Sequence, residues 1–107
     1  LDPRESMIAE QIFRLLLRDT EVRVRVSLAQ HVKASTAIPH DIVMTLARDV
    51  EEVSLPVLQY SEVLTDEDLV ELVQSTEEVS RYLAISRREK VSSLVTDTLL
   101  GKGNEKV

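Results

Sequence analysis

The chain has no cysteine and no tryptophan, and only two Tyr and one Phe among its 107 residues. Without thiols there is no disulfide framework, no thiolate nucleophile and no sulfur-ligated metal, which fits a reducing, cytoplasmic compartment. Glycine is nearly absent, with both copies in the last seven residues, and the three prolines are Pro3, Pro39 and Pro56. So few backbone breakers in a chain that is 43% apolar argue for helices over a sheet sandwich. No apolar run approaches a membrane span and no cleavable signal pattern opens the chain. Basic residues are the minority, 13 against 19 acidic for a net charge of −6. That balance disfavours a phosphate-binding or nucleic-acid surface, which needs clustered Lys and Arg.

What is present is helical periodicity, in a length suited to one domain with a single modest core. Asp2-Pro3-Arg4-Glu5 reads as a helix start: a cap, Pro at the first helical position, and Glu three residues after the cap. Ile8, Ile12, Leu15 and Leu16, widened by Phe13 and Leu17, predict a first helix to about Arg18. Asp19 is expected to cap a second helix reaching roughly Ala34. Its Val22, Val24, Val26, Leu28, Ala29 and Val32 cover over half the circumference, implying neighbours on two sides.

Pro39 opens a third helix with Ile42, Val43, Leu46 and Ala47, ending near Arg48. Asp49 is expected to cap a fourth with Val53, Val57 and Leu58, where Pro56 predicts a kink or a late start. Thr65-Asp66-Glu67-Asp68 is the acidic form of the capping pattern and begins a fifth, with Leu69, Val70, Leu72 and Val73. Ser75 with Glu78 predicts the cap of a sixth, carrying Val79, Leu83 and Ala84. A seventh runs from about Arg88 through Leu94, Val95, Leu99 and Leu100. Gly101 is its expected stop, which leaves residues 101–107 as a flexible tail.

These helices repeat. The expected caps Asp19, Asp49 and Ser75 stand 30 and 26 positions apart. In the first helix of each hairpin Val24, Val53 and Val79 correspond, as do Leu28, Val57 and Leu83. In the second helix Val43, Leu69 and Val95 correspond, as do Ala47, Val73 and Leu99. Phe13 and Leu16 stand where Val43 and Leu46 recur one unit later. The opening helix therefore reads as the second half of a hairpin, packed on the next one through Ile12, Leu16 and Phe13. Such periods belong to stacked helical repeats, where each unit buries its apolar face against its neighbours.

Asp19 followed by Val24-Arg25-x-x-Leu28-Ala29-x-x-Val32 is similar to the HEAT-like repeat consensus. The string resembles, over roughly residues 15 to 100, an alphaproteobacterial family of unknown function with HEAT-like repeats. The residues that carry the resemblance are Val24 to Ala29, Ile38-Pro39, Leu46 to Asp49, Pro56 to Leu58 and Leu64 to Leu69. Ser54 and Ser80 stand where Arg25 stands in the first repeat, so a continuous Asp–Arg ladder is not expected. The resemblance implies a right-handed helical stack, so the expected fold is all-α, with about seven helices in antiparallel hairpins stacked as a short HEAT-like right-handed solenoid over residues 1–107. It implies no activity. The opening Leu and the closing Gly-Lys-Gly-Asn-Glu-Lys suggest one domain of a longer bacterial protein.

Arg25 falls inside the apolar arc of its helix, where an unpaired charge is very costly. Asp19 and Asp49 are its candidate partners in a structural ion pair, with a small bound anion as the alternative. His31 and His40, with Asp41 and Glu21, invite a metal reading, but no two stand at the i, i+4 spacing of a helical zinc motif. Nothing resembles a nucleophile turn or a glycine-rich phosphate loop. The carboxylate pairs Glu51-Glu52, Glu77-Glu78 and Asp66 to Asp68 fall in first helical turns, where the macrodipole favours them. Neither catalysis nor a cofactor is expected.

With Val43, Leu69 and Val95 turned inward, positions two before and two after point outward. Asp41, Thr45, Glu67, Glu71, Ser93 and Asp97 then form a mainly acidic ridge edged by Arg48 and Gln74. The expected function is a non-catalytic protein-interaction or regulatory module. Its partner would be a basic segment of another protein or of another domain of the parent chain, and neither nucleic acid nor membrane. The alternatives are a domain sensing a small anion or metal, and a structural domain forming a homodimer through the open ends of the stack.

Overall fold

The computed structural model describes residues 2–19 and 21–105, with the side chains of 13, 15–19, 104 and 105 left aside. Among the described residues there are seven α-helices and no strand: α1 (Pro3–Asp19), α2 (Val22–Val32), α3 (His40–Ala47), α4 (Glu51–Tyr60), α5 (Asp66–Gln74), α6 (Val79–Ser86) and α7 (Ser93–Glu105). α4 is the centre of the fold. It lies between α2 and α6 and also against α3, while α7 packs on α5 and touches α6. Val53, Ser54, Val57 and Leu58 of α4 are accordingly all buried, the Ser54 hydroxyl donating back to the Glu51 carbonyl.

The other helices send their apolar residues toward this centre: Ala29 and Val32 from α2, Ile42, Val43 and Leu46 from α3, Leu69, Leu72 and Val73 from α5, Ile85 from α6 and Val95 from α7. Val43, Leu69 and Val95, matched by periodicity, are all buried. α2 and α6 flank α4 in the same row and so keep outer faces. Val24 of α2 and Val79 and Leu83 of α6 remain 40%, 53% and 47% exposed, against the expectation that they mirror the buried Val53 and Val57. In α6 the expected register is off by one residue: Ala84 and Ile85 occupy the buried positions that Val57 and Leu58 hold in α4.

The helix ends explain the slip. Asp19 is the last residue of α1 and not the cap of α2, which starts after Glu21 with no side-chain cap bond. Asp49 stands one residue before the N-cap of α4, which is Val50, and the Asp49 carboxylate accepts the Val50 N–H instead. Ser75 closes α5, and α6 begins only after Glu78. Two starts follow the local chemistry. Glu5 N–H donates to Asp2 Oδ1, and at α5 Thr65 and Asp68 exchange side-chain bonds with each other's backbone N–H in a complete capping box.

α4 begins at Glu51 and runs through Pro56, so there is no late start. α7 begins at Ser93, not near Arg88, and continues through Gly101 and Gly103 to Glu105. Residues 101–105 are thus helical where a flexible tail is expected. The Lys102 side chain is largely covered and its ammonium meets Glu77 Oε1 at 3.1 Å. This contact ties the last turns of α7 to the α5–α6 link, although each glycine inside a helix costs ~1 kcal/mol. In α1, Ile8 and Ile12 are about half exposed, so the predicted packing through Ile12 does not form. Phe13 and Leu16, which completed that expectation, lie outside the described side chains.

Candidate functional site

Arg25 and Asp49 meet in a two-pronged pair, Nε to Oδ2 at 2.7 Å and Nη2 to Oδ1 at 3.0 Å, with both side chains mostly covered. This parallel geometry is the strong form of the Arg–carboxylate contact. Burial alone would raise the Asp49 carboxyl. The Arg25 guanidinium, the Val50 N–H and the more distant Arg81 outweigh it and hold the group below its ordinary value. The Asp19 side chain, the other candidate partner of Arg25, lies outside the described residues.

Two further arginines complete this framework. Arg81 of α6 donates from Nη1 to the Ala47 carbonyl at 3.2 Å and from Nη2 to the Asp49 carbonyl at 2.7 Å, covering the end of α3. Arg88 donates from Nη1 to Leu58 O at 2.7 Å and from Nη2 to Ser61 O at 2.5 Å, covering the end of α4. Both satisfy carbonyls that a helix leaves without partners, at the end where the macrodipole favours a cation. The expected alignment places Ser80 opposite Arg25. With α6 shifted by one residue, Arg81 takes that position, a signal hidden by the misplaced cap at Ser75.

The predicted ridge divides in two. Asp41 and Thr45 of α3 and Arg48 just past its end meet Glu71 of α5 around a depression of about 620 Å³, with His40, Met44 and Asp68 also in its lining. Gln74 and Asp97 belong to a second hollow between α5 and α7, with Leu94, Thr98 and Lys102. Glu67 and Ser93 are exposed and line neither. Several of the acids are already paired within the chain. Arg48 reaches Glu71 at 2.9 Å, Arg14 of α1 pairs with Asp41 through its Nε at 3.1 Å, and His40 Nε2 stands 2.7 Å from Asp68 Oδ2. The Arg14 guanidinium holds the Asp41 carboxyl below its usual range. The face is therefore a patterned one, with Glu67 and Asp97 as its exposed carboxylates without an ion pair among the described residues.

The histidines do not come together. His31 Nδ1 stands 2.8 Å from the Ser27 carbonyl in its own helix, and His40 pairs with Asp68. Among the described residues no group of three or more His, Asp or Glu is placed to hold a metal ion. No helix formed by them is long and apolar enough to cross a membrane.

These features define an all-α domain of closely packed helices, tied together by arginines that reach the ends of other helices. The chain belongs to the bacterial family described as "Uncharacterised protein conserved in bacteria (DUF2336)", which matches residues 53–107. The matched stretch runs from within α4 to the end of the chain and includes Arg81, Arg88 and the α5 capping box. No curated protein and no solved structure matches the chain.

Proposed function

We propose that the chain is a non-catalytic protein-interaction module, a short HEAT-like right-handed stack of helical hairpins that takes a basic segment on its α3–α5 face. The segment belongs to a partner protein or to another domain of the same parent chain. The observation that carries this reading is the α3–α5 depression, where Asp41 and Glu71 stand around Met44, with exposed Glu67 nearby. A cationic side chain can compete for carboxylates that Arg14 and Arg48 hold only at the surface, because exposed ion pairs are worth little. Met44 offers a soft apolar contact that adapts to the stem of a Lys or Arg. The row formed by α2, α4 and α6 supports the stacked-hairpin part of the reading, since α4 is covered on both sides and α2 and α6 keep outer apolar residues.

Glu67→Lys with Glu71→Lys tests it. Both residues are exposed, so folding is expected to survive. Capture of a partner from a bacterial lysate should fall, and the remaining capture should lose its dependence on salt, because long-range attraction between exposed charges is screened. Capture that is undiminished and keeps its salt dependence removes the α3–α5 face as the interface.

A further inference from the structure

A second surface has the opposite sign. Lys33, Arg87, Arg88 and Lys90 gather at the edge where α4 ends and the α6–α7 link passes, four of the 13 basic residues of a chain whose net charge is −6. Three of them line a cleft of about 730 Å³, together with Gln59 and Tyr60. Lys33 stands at its margin, with its ammonium 4.7 Å from the centre of the Tyr60 ring. Glu62 and Glu89 share the lining, so the cations outnumber the carboxylates.

These cations are poorly compensated. Arg87 and Lys90 form no ion pair among the described residues. Arg88 spends its Nη1 and Nη2 bonds on the Leu58 and Ser61 carbonyls, and its Nε–H is buried with no acceptor. Burial lowers the Arg88 pKa, and the charges of Asp66 and Glu62 offset this only in part. A buried guanidinium donor without an acceptor is a costly feature that a folded chain seldom keeps.

We propose that this cleft binds a small phosphate-type oxyanion, held by Arg87 and Lys90, with the Arg88 guanidinium adding its charge from the cleft wall. A tetrahedral oxyanion accepts several charge-assisted bonds at once, which suits three convergent cations that cannot each find a carboxylate. Its charge would also offset the burial of Arg88. The site is independent of the acidic α3–α5 face and does not rest on that reading.

Calorimetric titration with inorganic phosphate, at an ionic strength held constant with sodium chloride, tests the proposal on the intact chain. A parallel arm measures co-sedimentation with anionic phospholipid vesicles. Saturable binding of free phosphate assigns the cleft to a soluble ligand, and binding to vesicles alone assigns it to a lipid headgroup; either supports the site. Arg87→Ala with Lys90→Ala, both exposed and with circular dichroism confirming the fold, should weaken binding by about tenfold or more, as the loss of two charged hydrogen bonds requires. Glu89→Gln, which removes a repelling carboxylate, should tighten it. No saturable response in either arm, or affinity unchanged in the Arg87 and Lys90 double variant, overturns the assignment.

Discussion

Ile85→Ala and Leu83→Ala, two residues apart on α6, should differ sharply in cost. Ile85 is fully buried against the α4 side of the core, whereas Leu83 is 47% exposed on the outer face. Ile85→Ala removes three buried carbons, about 2.4 kcal/mol at ~0.8 kcal/mol each, plus the cost of the space left behind. Ile85 also borders an open hollow of about 300 Å³ with Leu58 and Leu72. Part of the vacated space is therefore reachable by water, and the total should lie near 3 kcal/mol, within the ~2–5 kcal/mol range of such changes. Leu83→Ala gives up only about half of its burial, about 1 kcal/mol, and alanine's helix preference returns a little of that. Urea denaturation followed by circular dichroism reads the difference as a shift in midpoint at constant slope. For a domain of this size about 2 kcal/mol separates the melting temperatures by roughly 8 °C or more. Equal costs, or a larger one at Leu83, would refute the α6 register and restore the one that the repeat spacing suggests.

Thr65→Ala breaks the capping box and should cost about 1 kcal/mol, read in the same denaturation assay; no change would mean that α5 is held by packing alone. The Asp49 carboxyl is held below its ordinary value, so its ionised form favours the fold. That contribution is present above the unfolded value of about 3.9 and is lost as pH falls through the folded one. Asp49→Asn should therefore be less stable than the parent at neutral pH and converge with it in acid, and parallel stability curves across that window would contradict the Arg25–Asp49 account.

What was legible in the sequence is what local chemistry decides. Helix number followed from periodicity, and the starts at Asp2 and Thr65 from side chains that meet their own backbone three residues on. Val43, Leu69 and Val95 were recognisable because α3, α5 and α7 each turn one residue of the same spacing inward. The failures are tertiary. Asp49 has the composition of a cap, but Arg25 lies 24 residues away in sequence and takes its carboxylate. Ser75 precedes an apolar run yet ends a helix, which displaced the register of α6 and concealed Arg81. Arg88 serves carbonyls 27 and 30 residues earlier, a contact that no local pattern announces. Gly101 reads as a stop until Lys102 finds Glu77 across the fold. On the candidate face, Asp41, Thr45 and Glu71 are legible as outward-facing positions and Arg48 as the edge beside them. Their pairing with Arg14 and with each other depends on how α1, α3 and α5 lie.

The most direct measurement is an amide-shift titration of the isotope-labelled chain with the basic segment of the captured partner, at low and at raised salt. The proposed function predicts shifts concentrated at Asp41, Thr45, Glu67 and Glu71 of α3 and α5, and a weaker complex as salt screens the attraction. Shifts centred instead on Val79, Leu83 and Leu100, unchanged by salt, would contradict it and move the interface to the exposed apolar face of α6 and α7.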